Sequence, residues 1–107
     1  MSNATLSFTA LQGGTARRIE FPLHPLTVNS GQVGMLLTDL LETITQHTEN
    51  DSRISDGDVL QSLCMTLAVR MNMVEVPSKS VRDLVSELLE QADEAVTASS
   101  VKPAGTA

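Results

Sequence analysis

Aromatic side chains are nearly missing from this chain: its 107 residues include two Phe, no Tyr and no Trp. Basic side chains are scarce too, seven against thirteen acidic, for a net charge of −6. A nucleic-acid surface needs cations for the phosphates and, on single strands, rings for the bases. Both are in short supply, so nucleic acid is excluded as an expected partner. Cysteine occurs once, at Cys64. No internal disulfide can form, and the chain reads as a protein of the reducing cytoplasm. No uninterrupted apolar run approaches the roughly 18 residues of a membrane helix, and no charged-apolar-small leader opens the sequence. No membrane partner is expected.

The constellations of catalysis are missing as well. A nucleophilic cysteine wants partial exposure and a cationic or basic neighbour. Cys64 lies mid-stripe among Leu60, Leu63 and Leu67 and is expected to be a small buried hydrophobe. His47 falls near the end of a helix, where an imidazolium suits the dipole, and His24 lies between Pro22 and Pro25. One cysteine and two scattered histidines do not make a zinc site. Aligning Gly57 with the glycine of a calcium loop puts Ile54 and Leu63 at ligand positions they cannot fill. Gly13-Gly14 lacks the third glycine and lysine of a phosphate loop. The expectation is a non-enzymatic protein with no metal and no cofactor.

What is present is periodicity. Leu6, Phe8 and Ala10 alternate with Thr5, Ser7 and Thr9, and Ile19, Phe21 and Leu23 alternate with Arg18 and Glu20, the mark of two half-buried strands. Gln12-Gly13-Gly14-Thr15 supplies the turn between them. Pro22 cannot donate to a ladder and argues for an edge strand. Three helices follow, each with its own start signal. Asn29 with Gln32, Ser55 with Asp58, and Ser80 with Asp83 have capping-box spacing, and Val28/Val33 and Ile54/Val59 have that of hydrophobic staples. The first stripe is Val33, Leu36, Leu37, Leu40, Leu41 and Ile44; the third is Val81, Leu84, Val85, Leu88, Leu89, Ala92 and Val96. Pro77 is expected to end the middle helix. The fold class is α+β: an N-terminal β-hairpin followed by three amphipathic helices packed as a small bundle. The hairpin is placed at 5–23, the helices at about 30–47, 56–74 and 80–97 of a single domain 5–98, with a disordered or vector-derived start at 1–4 and a disordered tail at 99–107.

The middle helix carries more apolar surface than one core can use. Leu60, Leu63, Cys64, Leu67, Ala68 and Met71 form its principal stripe, broad enough to touch both neighbouring helices. On the far side Met65, Val69 and Met73 recur at i, i+4, i+8, flanked by Arg70. That second row can be covered by the hairpin of the same chain, form a homodimer interface, or accept another protein's helix or an apolar ligand. Two hairpins can also join edge to edge across a two-fold axis. The reading carried forward is a small cytoplasmic interaction or adaptor protein, a homodimer through its middle helix, with another protein as a further partner. The alternative is a carrier or sensor of a small apolar ligand held by Met65, Val69, Met73, Phe8 and Phe21, with Arg70 placed for a carboxylate head group.

Overall fold

A computed structural model describes residues 4–51 and 53–103, and the chain is α+β. Strands β1 (Thr5–Gln12) and β2 (Thr15–Pro22) make the hairpin. Helices α1 (Ser30–Asn50), α2 (Asp56–Met71) and α3 (Ser78–Ala98) follow, and β3 (Ser100–Pro103) ends the order. Of the expected disordered ends, residues 1–3 and 104–107 lie outside the described residues. The chain divides into two compact units, one of Met1–Gly34 with Val85–Ala107 and one of Met35–Leu84.

In the first unit the hairpin has the expected turn. Gly13 takes φ +60°, the left-handed conformation that a two-residue hairpin turn demands and glycine accepts without strain. The register sets Leu6 opposite Phe21, Phe8 opposite Ile19 and Ala10 opposite Arg17, so these six side chains share one face. Ile19, 4% exposed, is the most buried of them. Leu23 N–H donates to Ala4 O at 2.9 Å. An antiparallel ladder alternates bonded and non-bonded pairs. Counting from that bonded pair, even-numbered residues of β1 face β2 and odd-numbered residues turn their amides and carbonyls outward.

The tail differs from expectation. Ser100–Pro103 pairs antiparallel with β2, Thr15 opposite Pro103 through Arg18 opposite Ser100, giving the sheet order β1-β2-β3. Four residues show too little periodicity to read as a strand from sequence. Their order comes from an open ladder beside them and from Arg17, described below. β2 is therefore the central strand, not an edge. Pro22 is tolerated because β3 stops at Arg18, and Pro22 sits in a non-bonded pair with Thr5, its nitrogen turned to the side that β3 leaves open.

Along the helices the first two starts hold, the third moves, and the ends differ from expectation. Ser55 caps α2: its hydroxyl accepts from Asp58 N–H and Asp58 carboxylate accepts from Ser55 N–H, each at 3.1 Å. In α1 the side chain of Asn29 accepts from Gln32 N–H at 3.1 Å. The staple expected ahead of it is absent, since Val28 is fully exposed. α1 runs on to Asn50, so the link before α2 is shorter than the 48–55 that its polar residues suggested. α2 stops at Met71, six residues before Pro77. The stop is Asn72, whose side-chain amide donates to Ala68 O at 2.8 Å and competes for a carbonyl of the last turn. Met73 N–H and Val74 N–H then bond three residues back rather than four, and the helix unwinds. α3 starts at Ser78 rather than Ser80, with Val81 N–H bonded to Pro77 O at 3.2 Å. Asp83 pairs with Lys79 at 2.9 Å instead of capping.

Candidate interaction surface

The principal stripe of α2 was expected inside, and it is outside. Leu60, Leu63, Cys64, Leu67 and Ala68 are all exposed, and no residue of α2 is buried. Only Val59 and Met71, at its two ends, are half-buried. In Met35–Leu84 the one buried side chain among the described residues is Val81, at 8% exposed. The stripe pattern was right about which residues are apolar. It could not say whether one chain holds enough neighbours to cover them.

Cys64 follows the same correction. It is an exposed free thiol, not a buried hydrophobe.

The second row is exposed to a similar degree: Met65 59%, Val69 62% and Met73 61%. Met73 lies past the helix end, so the row is two helical positions followed by a turn. Arg70 binds it from the side, with Nη1 3.7 Å from Met73 sulfur. The guanidinium thus rests against the row it was expected to flank. Phe8 and Phe21, the other residues of the alternative ligand site, belong to the sheet unit.

A cavity of the helical unit lies elsewhere. A cleft of about 280 Å³ opens between α1 and α2, lined by Leu40, Ile44, His47, Ile54, Leu63 and Thr66 among others. None of Met65, Val69, Arg70 or Met73 reaches it. Ile54 and Val59, expected as a staple, both line it and are half-buried. The link beside the cleft is held by Asp51, whose carboxylate accepts from Arg53 N–H and Nε, both at 3.0 Å, and from Nη2 at 3.2 Å. The Arg53 side chain, then its backbone amide, hold the Asp51 carboxyl below its ordinary range.

In the sheet unit two polar anchors escaped the sequence reading. Arg17 shares the apolar face with Ile19, a charge where alternation calls for an apolar residue, and that misplacement was the available signal. Its Nη1 donates to Val96 O at 3.2 Å and to Ser99 Oγ at 2.9 Å. A cation on the open carbonyls of a helix C-terminus suits the dipole, and it fixes where β3 begins. His24 is the second anchor. Its Nδ1 accepts from Leu26 N–H at 3.1 Å, and its Nε2 lies 3.8 Å from the Glu87 carboxylate. On the outer face the Ser7 hydroxyl, 2.6 Å from Glu20, and then Arg18 hold that carboxyl below its usual range.

Among the described residues no group of His, Cys, Asp and Glu could hold a metal ion, and no helix is long and apolar enough to cross a membrane. No protein-family model, curated protein or solved structure matches this chain.

Proposed function

We propose that this chain is a self-associating interaction protein without enzymatic activity, and that α2 is its association surface. A second copy is the first partner, and the assembled helices serve as an adaptor for other proteins. The supporting observation is that a helix this rich in leucine, methionine and valine fully buries none of its side chains. Complete burial of such a side chain is worth roughly 1.5–3 kcal/mol, against a total stability of about 5–15 kcal/mol for a small domain. Exposed apolar surface on that scale marks an association site. Methionine adds adaptability, since its flexible thioether packs against varied shapes. The exposed thiol of Cys64 suits a reducing compartment, and the cytoplasm is the proposed setting.

The test is the solution mass of the full chain by size-exclusion chromatography with light scattering. The expected result is at least twice the 11.4 kDa chain mass, falling when Met65→Asp and Val69→Asp are combined, with helix content kept by circular dichroism. A wild-type chain of single mass at high micromolar concentration overturns the reading.

The cleft between α1 and α2 favours one second reading, a carrier of a small apolar ligand. Its volume of about 280 Å³ sits at the lower bound of ligand pockets. Titrating a fluorescent fatty-acid analogue separates the two, because a carrier binds it saturably as a single chain and an adaptor does not.

A further inference from the structure

We propose that β1 is a pairing edge, and that its occupant is β1 of a second copy, joined antiparallel across a two-fold axis into one continuous sheet. The proposal rests on the sheet edge and stands apart from the reading of α2.

The two edges of the sheet are built differently. The outer edge of β3 is blunted. The strand has four residues, and its outward positions are Val101 and Pro103, of which proline offers no N–H. β1 is eight residues long, and its sequence Thr-Leu-Ser-Phe-Thr-Ala-Leu-Gln holds no charge, no proline and no glycine. Its register with β2 is unbroken, so no bulge twists the edge away. Natural proteins protect a free edge by charges, prolines, bulges or shortness, because unpaired backbone groups template further pairing. Every one of these devices is missing from β1.

The open groups are specific. Thr5, Ser7, Thr9 and Leu11 direct their amides and carbonyls away from β2. Among the described residues no strand and no other backbone group takes them up.

These four positions are symmetric about Phe8, which is what selects a second copy. Set antiparallel with Phe8 opposite Phe8, the strands bring Ser7 opposite Thr9 and Thr5 opposite Leu11. All four open positions then pair, making about eight backbone hydrogen bonds. In the same register Leu6 lies opposite Ala10, and the half-buried face of Leu6, Phe8 and Ala10 continues across the axis. A slip of one residue would set that face against Thr and Ser, so the register is determined. Charge points the same way. Each copy carries −6 and repels the other, and β1 is a long segment on which two copies meet without bringing carboxylates together.

The test is hydrogen exchange of individual amides by nuclear magnetic resonance, in the full chain at several concentrations. In a lone hairpin the amides of Leu6, Phe8 and Ala10 are protected and those of Thr5, Ser7, Thr9 and Leu11 exchange freely. In the proposed pair both sets are protected, the odd set by about 100-fold or more at high concentration, falling away on dilution. Thr9→Pro removes one outward amide and no bond to β2. It is expected to abolish protection at Ser7 and Leu11 while leaving Phe8 and Ile19 as they were. Free exchange of the odd set overturns the proposal whatever the mass of the chain. So does protection that ignores concentration, and so does protection that survives Thr9→Pro. If Thr9→Pro does not fold, the wild-type dilution series decides alone. A chain that is dimeric with an unprotected odd set fails this proposal and leaves the reading of α2 intact. A chain that keeps odd-set protection in the Met65→Asp, Val69→Asp background pairs through β1 without α2, and the reading of α2 is then decided by the change in mass alone.

Discussion

The sheet unit and the helical unit use their apolar residues in opposite ways. Both hold a similar share of them, and in the sheet unit the hairpin face of Leu6, Phe8, Ala10, Ile19 and Phe21 is buried or half-buried. Ile19 is 4% exposed, the Arg17 guanidinium is tied to α3, and a four-residue strand is held in register. In the helical unit Val81, at 8% exposed, is the one buried side chain among the described residues, and most of the α2 stripe lies in solvent. Apolar content is therefore not the same as a core. A sheet fixes its neighbours through backbone bonds whose register one chain can complete. A helix satisfies its own backbone, and its stripe only specifies a surface that something else must cover.

Truncating a side chain in each unit is the strongest way to break this contrast. Ile19→Ala removes the best-buried group and is expected to cost about 2–5 kcal/mol, the range for large-to-small changes in a core. Leu60→Ala, at a residue 62% exposed, is expected to cost under about 0.5 kcal/mol when the chain is dilute. Its cost rises with protein concentration if a second copy covers α2. Urea melts at two concentrations make the comparison. Equal costs at the lower concentration would mean that the helical unit has a core of its own.

The polar anchors give a smaller effect, confined to the sheet unit. Arg17→Met keeps the length of the side chain and removes its bonds to Val96 O and Ser99 Oγ. Losing a charged donor from partly buried acceptors is expected to cost about 1–3 kcal/mol. It should show first as faster amide exchange in Ser100 and Lys102, the residues that bond to β2. Unchanged protection of β3 in a folded variant would remove Arg17 from its role as the tie.

The same contrast explains how much could be read in advance. The hairpin, its turn and the three helices were legible, since period-2 alternation, Gly13-Gly14 and the caps at Asn29 and Ser55 act within a few residues. The stop at Asn72 was hidden by Pro77, a louder signal five residues on. β3 was illegible because its pairing depends on Arg17, nearly the whole chain away. For the candidate site, the sequence marked Met65, Val69 and Met73, flanked by Arg70, as a second row to be covered by the hairpin, a second copy, another protein or a ligand, and all four residues are exposed. It misjudged Leu60, Leu63, Cys64 and Leu67, for periodicity reports which residues prefer to be buried. Whether they are depends on how many partners the chain itself supplies.

The finest separation of the two units comes from their carboxylates. Glu20, in the sheet unit, is held below its ordinary pKa chiefly by the Ser7 hydroxyl, and Asp51, in the helical unit, chiefly by the Arg53 guanidinium. A carboxyl whose folded pKa is depressed stabilises the fold fully above its unfolded value, near 4.3 for Glu and 3.9 for Asp. That contribution disappears as pH falls through the folded value. Both groups are solvent-exposed, so each effect is small and screened. Their sensitivity to salt should differ, because a hydroxyl bond survives ionic strength and an exposed ion pair weakens. An acid titration followed at the amides of Ser7 and Arg53 is expected to show two separate midpoints. Raising the salt should move that of Arg53 upward and that of Ser7 by less, since Arg18 contributes only part of the hold on Glu20. Glu20→Gln should erase the Ser7 transition alone, and Asp51→Asn that of Arg53 alone. If either substitution erased both, acid would be acting on one cooperative body, and the contrast between a closed and an open unit would have to be abandoned.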